Sequence, residues 1–150
     1  MASFVLTDAL VGYTTGASTG AHNNLSTYVR SVAVAAEAET QDDTAMGDDW
    51  RSFVGGLKNW AFDIEFNQDF EATDIGPGGA DFWNLMGTTG LHWRVRPTTA
   101  AASSTNPEFR GYGMLININP VDGSVGDLAI ENVQIQGFGT LTRGTTSNTG

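Results

Sequence analysis

Asp63 and Glu65 stand two residues apart in the segment Trp-Ala-Phe-Asp-Ile-Glu-Phe. On an extended chain, two residue rises put them about 6.6 Å apart on one face. That falls within the roughly 6.5–9.5 Å between the carboxyl groups of inverting glycosidases. Such an enzyme also needs aromatic rings beside its acids to stack a sugar. Here Trp60, Phe62, Ile64 and Phe66 alternate onto the opposite face. A solvated or ion-paired strand face is the stronger reading, with Arg94 and Arg96 as candidate cross-strand partners of the acids.

The other chemical signals are weaker. Gly16-Ala-Ser-Thr-Gly20 matches the G-x-S-x-G nucleophile elbow, which requires a strand before it, a helix after it, and a distant His and acid. Its flanks give no such context, and a Gly/Ser-rich loop fits better. Asn24-Leu25-Ser26 has the form of a glycosylation sequon, expected to stay unmodified in a chain without a secretory leader. His22 and His92 lie far apart, and Asp42-Asp43 and Asp48-Asp49 lack calcium-loop spacing. No phosphate-binding glycine loop is present. The expectation is therefore no catalytic centre, no metal and no cofactor.

The elements that carry these residues read as β-structure. Lys58 to Phe70 alternates almost without error: Trp60, Phe62, Ile64 and Phe66 on one face; Asn59, Asp63, Glu65, Asn67 and Asp69 on the other. Period two over this length predicts a half-buried strand, with the acidic face toward water or a partner. Thr27 to Ala38 predicts a second strand, modestly apolar on both faces and so either covered or at a subunit contact. Between them, 37–57 reads as a long acidic loop. It carries Asp42, Asp43, Asp48, Asp49 and Arg51 together with Met46, Trp50 and Phe53. Apolar residues inside a charged loop point to docking on another surface.

Residues 1–26 read as an arm or loop outside the core. Ala80 to Met86 predicts a short helix burying Phe82, Trp83, Leu85 and Met86. Leu91 to Arg96 alternates again, and Thr98 to Pro107 reads as a mobile Thr/Ala/Ser loop. Phe109 to Ile118 predicts a strand with Tyr112, Met114, Ile116 and Ile118 on one side. Asn119 to Gly126 is a turn with an Asp-Gly signal. Two late strands follow, Leu128–Gln136 and Phe138–Thr142, separated by a bulge at Gly137 and Gly139. Residues 144–150 form a polar tail. The sum is one domain over 1–150, mainly β, an antiparallel sandwich or barrel with one short flanking helix and a long inter-strand loop.

Composition excludes several classes. The chain has 150 residues, 17 acids against 7 bases and a formal net charge of −10. Counterion release on nucleic acid needs clustered Lys and Arg, so specific nucleic-acid binding is not expected. Cysteine is absent, which removes disulfides and thiolate chemistry. The first residues lack a basic n-region and a long apolar h-region, so neither a secretory leader nor membrane insertion is expected, and synthesis is expected in the cytoplasm.

A set of segments in fixed order carries a family resemblance. Tyr28-Val-Arg-Ser-Val-Ala-Val leads into the acidic stretch Asp-Asp-Thr-Ala-Met-Gly-Asp. Gly-Gly-Leu-Lys-Asn-Trp-Ala-Phe-Asp-Ile-Glu-Phe-Asn-Gln-Asp-Phe follows, then Asp-Phe-Trp-Asn-Leu-Met-Gly, Trp-Arg-Val-Arg-Pro and Asn-Pro-Glu-Phe-Arg-Gly-Tyr-Gly. Gly-Asp-Leu-Ala-Ile-Glu-Asn-Val-Gln-Ile-Gln-Gly-Phe-Gly-Thr-Leu-Thr-Arg closes the set. From Ser26 to Thr145 the chain resembles the major tail tube proteins of long, non-contractile-tailed (siphovirus-like) bacteriophages. The resemblance implies a β-sandwich-like barrel of the phage tail-tube type in a structural virion protein. It implies hexameric rings that stack into a tube and conduct genomic DNA during ejection. Tape-measure, tail terminator and distal tail proteins are the implied partners, with assembly in the host cytoplasm. In that frame the 37–57 loop bridges subunits or rings, and Asp63, Glu65 and Asp69 are candidate lumen-facing acids that let DNA slide without sticking. The alternatives are a capsid decoration or head–tail connector protein, or a carbohydrate-binding or hydrolysing β-sandwich.

Overall fold

The computed structural model describes residues 3–15, 23–69 and 80–146. The elements in chain order are β1 (Leu10–Thr14), β2 (Asn23–Asn24), β3 (Val29–Asp42), β4 (Phe53–Asn67), α1 (Ala80–Leu85), β5 (His92–Arg96), β6 (Glu108–Asp122) and β7 (Ile130–Gly144). All seven strands belong to one antiparallel sheet in the order β2-β1-β5-β6-β7-β4-β3. The mainly-β expectation with one short helix holds.

The sheet curls around its core. Tyr13 on β1 and Phe66 on β4 are separated in the sheet by β5, β6 and β7. In a flat sheet, four strand spacings of about 4.8 Å would hold them about 19 Å apart. Yet the Phe82 ring of α1 lies 5.3 Å from Tyr13 and 5.9 Å from Phe66. One helix side chain thus closes the open end of a rolled sheet. Val11, Trp60, Phe62, Ile64, Trp93, Leu115, Val133 and Ile135 fill the interior.

The alternation in β4 behaves as its period dictates. Trp60, Phe62, Ile64 and Phe66 are buried and Asp63 is exposed. The strand stops at Asn67, so Asp69 lies beyond it rather than on its face. Trp60 packs against β6 and β7 where those strands carry glycine. A Cβ on Gly111 would stand 2.8 Å from Trp60 Cζ2, and one on Gly137 would overlap the indole ring. The indole Nε1–H donates to the Gly139 carbonyl at 3.0 Å. Gly139 itself has φ +83, a conformation open to glycine. It lies at the register shift between Arg110/Tyr112 and their β7 partners. Of the bulge expected at Gly137 and Gly139, the part at Gly139 is present, whereas Gly137 pairs in register with Gly113; both lie inside one continuous strand rather than between two.

Five other expectations are corrected. Residues 1–26 are not all outside the core: Val11, Tyr13 and Leu25 are fully buried. The stretch 37–57 is not mainly loop, because β3 runs to Asp42 and β4 starts at Phe53, leaving only the tip between them as loop. A six-residue helix presents a single buried stripe. Phe82 and Leu85 pack inward while Trp83 and Met86 stay exposed. The 98–107 loop is organised by buried Asn106, whose Oδ1 accepts from Thr98 N at 3.1 Å and whose Nδ2 donates to Ala100 O at 3.0 Å. Finally, β6 continues through the Asn-Pro-Val-Asp stretch read as a turn, ending at Asp122.

Candidate functional site

The most prominent feature is a projecting hairpin. Its base, Trp60 to Phe66 of β4, packs into the core, whereas Phe53 to Asn59 are exposed throughout. Beyond Asn59 the pair β3–β4 is a two-stranded arm, since β7 pairs with β4 only from Ala61 onward. At about 3.3 Å per residue the arm reaches roughly 20 Å from the body. Its tip is built by its own polar groups. Asp42 Oδ1 accepts from Thr44 N at 2.9 Å, and Ser52 N donates to Thr44 Oγ1 at 2.8 Å. Asp48 Oδ2 accepts from Ala45 N at 2.8 Å, and Arg51 lies 3.8 Å from Asp42. Hydrogen bonds from Thr44 hold the Asp42 carboxyl below its usual range. With the polar residues engaged in the turn, Met46 and Trp50 face solvent, Trp50 at 87% exposure, and Phe53 and Val54 beside them are also exposed.

The second feature is a broad polar face on the outside of the curl. In register across the sheet stand Ser31 and Ala33 on β3, Glu65 and Asp63 on β4, Asn132 and Gln134 on β7, and Asn119 and Asn117 on β6. Carboxylates and amides dominate, and the cation at hand is Arg30, 3.6 Å from Glu65. Asp69, beyond the strand, donates its backbone N–H to Gln68 Oε1 at 2.9 Å. Among the described residues, no aromatic side chain pairs in register with Asp63 or Glu65 on this face.

Arg94 and Arg96 do not answer those acids. They sit on β5, which pairs with β1 and β6 and never with β4. Strand order, invisible in the local pattern, decides this. The partner of Arg96 is fully buried Glu108, at 3.7 Å, and Arg110 reaches the same carboxylate at 3.2 Å. Arg94 is paired in register with Arg110, and His92 with Tyr112, its ring 5.0 Å away edge-on. Burial pushes the His92 pKa down, and the positive charges of Arg110 and Arg94 act in the same direction, with Glu108 opposing.

Beside this cationic row runs an apolar strip that the sequence pattern did not place. Tyr112 and Met114 do share a face of β6, but it is the outer one. The inner positions are Gly111, Gly113 and Leu115. The register shift between Leu115 and Asn117 then returns Ile118 to the core side. Tyr112 pairs directly with Phe138, which is 62% exposed, and Ile116 is exposed as well.

Other sequence signals acquire structural roles or lie elsewhere. In the sequon, Asn24 Oδ1 accepts from Ser26 N at 2.9 Å and from Ser26 Oγ at 2.6 Å, which makes a local turn around buried Leu25. The G-x-S-x-G stretch and His22 fall outside the described residues. Among the described residues no cluster of three or more metal-ligating side chains exists, and no helix is long and apolar enough to cross a membrane.

No protein-family model and no curated protein matches the chain. Solved structures do match. One is the tail of an empty gene transfer agent particle, obtained by helical refinement with C6 symmetry. It has a TM-score of 0.69 and 18% identity, covering 91% of this chain and 95% of that one. Another comes from the virion of a native gene transfer agent particle, with a TM-score of 0.62, 17% identity and the same coverage. At these identities the likeness establishes a shared fold over nearly the whole length of both chains.

Proposed function

We propose that this chain is a structural tail protein of a phage-like particle, and that its copies assemble into the tail tube. The observation that carries the reading is the projecting β3–β4 arm with Met46 and Trp50 exposed at its tip. It stands on a fold shared end to end with a component of a tail of C6 symmetry. A protein that worked alone would bury or remove such residues. The β3 strand supports self-association too. It is 14 residues long and, among the described strands, pairs with β4 alone. A long strand edge of this kind is a template for pairing with another chain.

In this reading six copies form a ring, and rings stack into a tube that lies in the virion tail. The arm reaches a neighbouring subunit or ring. The polar face around Asp63 and Glu65 lines the bore, with Asp69 near its margin, and repels the DNA backbone as the genome passes. Tape-measure, terminator and distal tail proteins set the length and ends of the tube. The role is structural and not enzymatic. Electron microscopy of the purified protein tests it. Stacked rings of uniform bore are expected, whereas strictly monomeric particles at high concentration would rule out a tube-forming role. Rings that never stack would point instead to a head–tail connector or capsid decoration role.

A further inference from the structure

We infer that the β3–β4 arm is jointed: its tip pivots on the body at a hinge formed by Glu39 of β3 and by Gly55, Gly56 and Leu57 of β4.

A defect in the ladder marks the place. Ala38 pairs with Lys58, and Thr40 with Gly55. One residue of β3, Glu39, therefore faces two of β4, Gly56 and Leu57. An extra residue of this kind interrupts the pairing and bends the strand. Gly55 and Gly56 supply no side chain to brace the bend. A Cβ on Gly55 would meet nothing within 4 Å, and Gly56 lies so close to Glu39 that a Cβ there would stand 3.2 Å from Glu39 Cβ. Glycine inside a strand weakens it. Leu57 is 78% exposed, so the core does not hold the extra residue.

Both sides of the defect are held. Toward the body, Ala61 to Asn67 pair with β7, and Gln136 Nε2 donates to Asn59 Oδ1 at 2.6 Å, which anchors the root of the arm. Toward the tip, Asp42 pairs with Phe53, Asp43 N donates to Ser52 O at 3.0 Å, and the hydrogen bonds of Thr44 and Asp48 close the turn. Between these ordered units, β3 and β4 have only each other. An open groove of about 650 Å³, lined by Lys58, Asn59 and Trp60 on one side and Gly137, Gly139, Thr140 and Leu141 on the other, parts the root from β7. A two-stranded ribbon alone is marginally stable. Two ordered units joined through a few weakly paired residues make a hinge, in which those residues absorb the whole change in backbone angles.

The use made of the joint rests on the self-assembly reading; the joint itself does not. In that reading one chain's fold leaves the direction of Met46 and Trp50 open, and contact with a neighbouring copy sets it. The same ordered tip then fits neighbours that stand at different angles.

The chain has no cysteine, so paired spin labels report only introduced sites. Double electron–electron resonance on dilute, monomeric protein measures tip to body with Met46→Cys and Thr142→Cys, and root to body with Glu37→Cys and Thr142→Cys. All three sites are exposed. Both pairs are measured in the parent and in a chain lacking Leu57. That deletion restores one-to-one pairing and leaves Ala38 opposite Lys58 and Thr40 opposite Gly55. Near-UV circular dichroism checks the packed core. If the deletion does not fold, Gly55→Val replaces it, adding a stiff β-branched side chain in open space. A broad tip–body and a narrow root–body distribution are expected in the parent, with the tip–body distribution narrowing in the variant. The hinge is overturned if tip–body distances in the parent are as narrow as root–body ones, if both are equally broad, or if the variant leaves the tip–body width unchanged. These measurements are made on single chains, so they stand or fall apart from the tube-forming role, which electron microscopy of the parent tests.

Discussion

The Trp60 indole occupies the space that a side chain at Gly137 would need, and its Nε1–H donates to the Gly139 carbonyl at 3.0 Å. This packing explains why Gly111 and Gly137 lack side chains on the core face, while at Gly113 the Ile135 side chain takes the space first. It also explains why the larger side chains of β6 lie outside. The inner surface there is supplied by β4 through Trp60, and no second layer of side chains fits.

Gly137→Ala is therefore expected to expel the indole from its bed. Overpacking of this kind costs about 1–3 kcal/mol, and the Nε1 hydrogen bond is lost in addition. Urea unfolding followed by tryptophan fluorescence measures it. An unchanged midpoint would mean that the strands separate freely at this point.

Phe62 and Phe138 give a paired control. Phe62 is fully buried, so Phe62→Ala is expected to cost about 3–5 kcal/mol in the isolated subunit. Phe138 is 62% exposed, so Phe138→Ala is expected to stay within about 0.5 kcal/mol. Equal losses in denaturant titrations would show that the inner and outer faces are wrongly assigned.

Glu131 introduces a pH dependence. It lies in register with Phe66, is buried, and has one carboxyl oxygen without a hydrogen-bond partner among the described residues. Burial raises its pKa to about 8, with hydrogen bonding to the Gln68 side chain opposing. The proton is held more tightly in the folded state than in the unfolded one. The associated stability is fully present below about pH 4.5 and is lost as the pH rises through about 8. Glu131→Gln should flatten this slope in melting temperatures taken across pH 5 to 9. A parent protein whose stability rises over that range would contradict the assignment.

Replacing Asp43–Ser52 with an Asn-Gly turn should leave the core intact, because the register Asp42↔Phe53 already brings the strands together. The shortened chain should fold with a melting temperature within a few degrees of the parent, as a change to exposed residues implies. It should form no tubes. Normal tube growth would remove the docking role from the tip.

Reversing Asp63, Glu65 and Asp69 to Lys tests the bore. Loss of the partly exposed Glu65–Arg30 pair should cost about 0–1 kcal/mol, so assembly should continue. DNA passage is expected to slow, as measured by ejection from particles carrying the variant. Unaffected ejection would place this face away from the bore.

Local periodicity alone determined that Trp60, Phe62, Ile64 and Phe66 share a buried face, that a short helix follows near Phe82, and that the chain is mainly β. These depend on side chains two or four residues apart, and the strand and helix periods report them directly. The acidic excess and the apolar residues near Trp50 were equally legible, because composition needs no partner. Only the tertiary structure decided which side of β6 is inside. Period two states that Tyr112 and Met114 agree with each other, but Trp60, more than fifty residues earlier, takes the inner space. Strand order likewise decided that Arg96 meets Glu108 rather than Asp63. Pairing between strands distant in sequence is set by the closure of the whole sheet, and no local pattern encodes it. The long acidic connection became an arm for the same reason: β3 and β4 continue to pair after the core they enclose has ended.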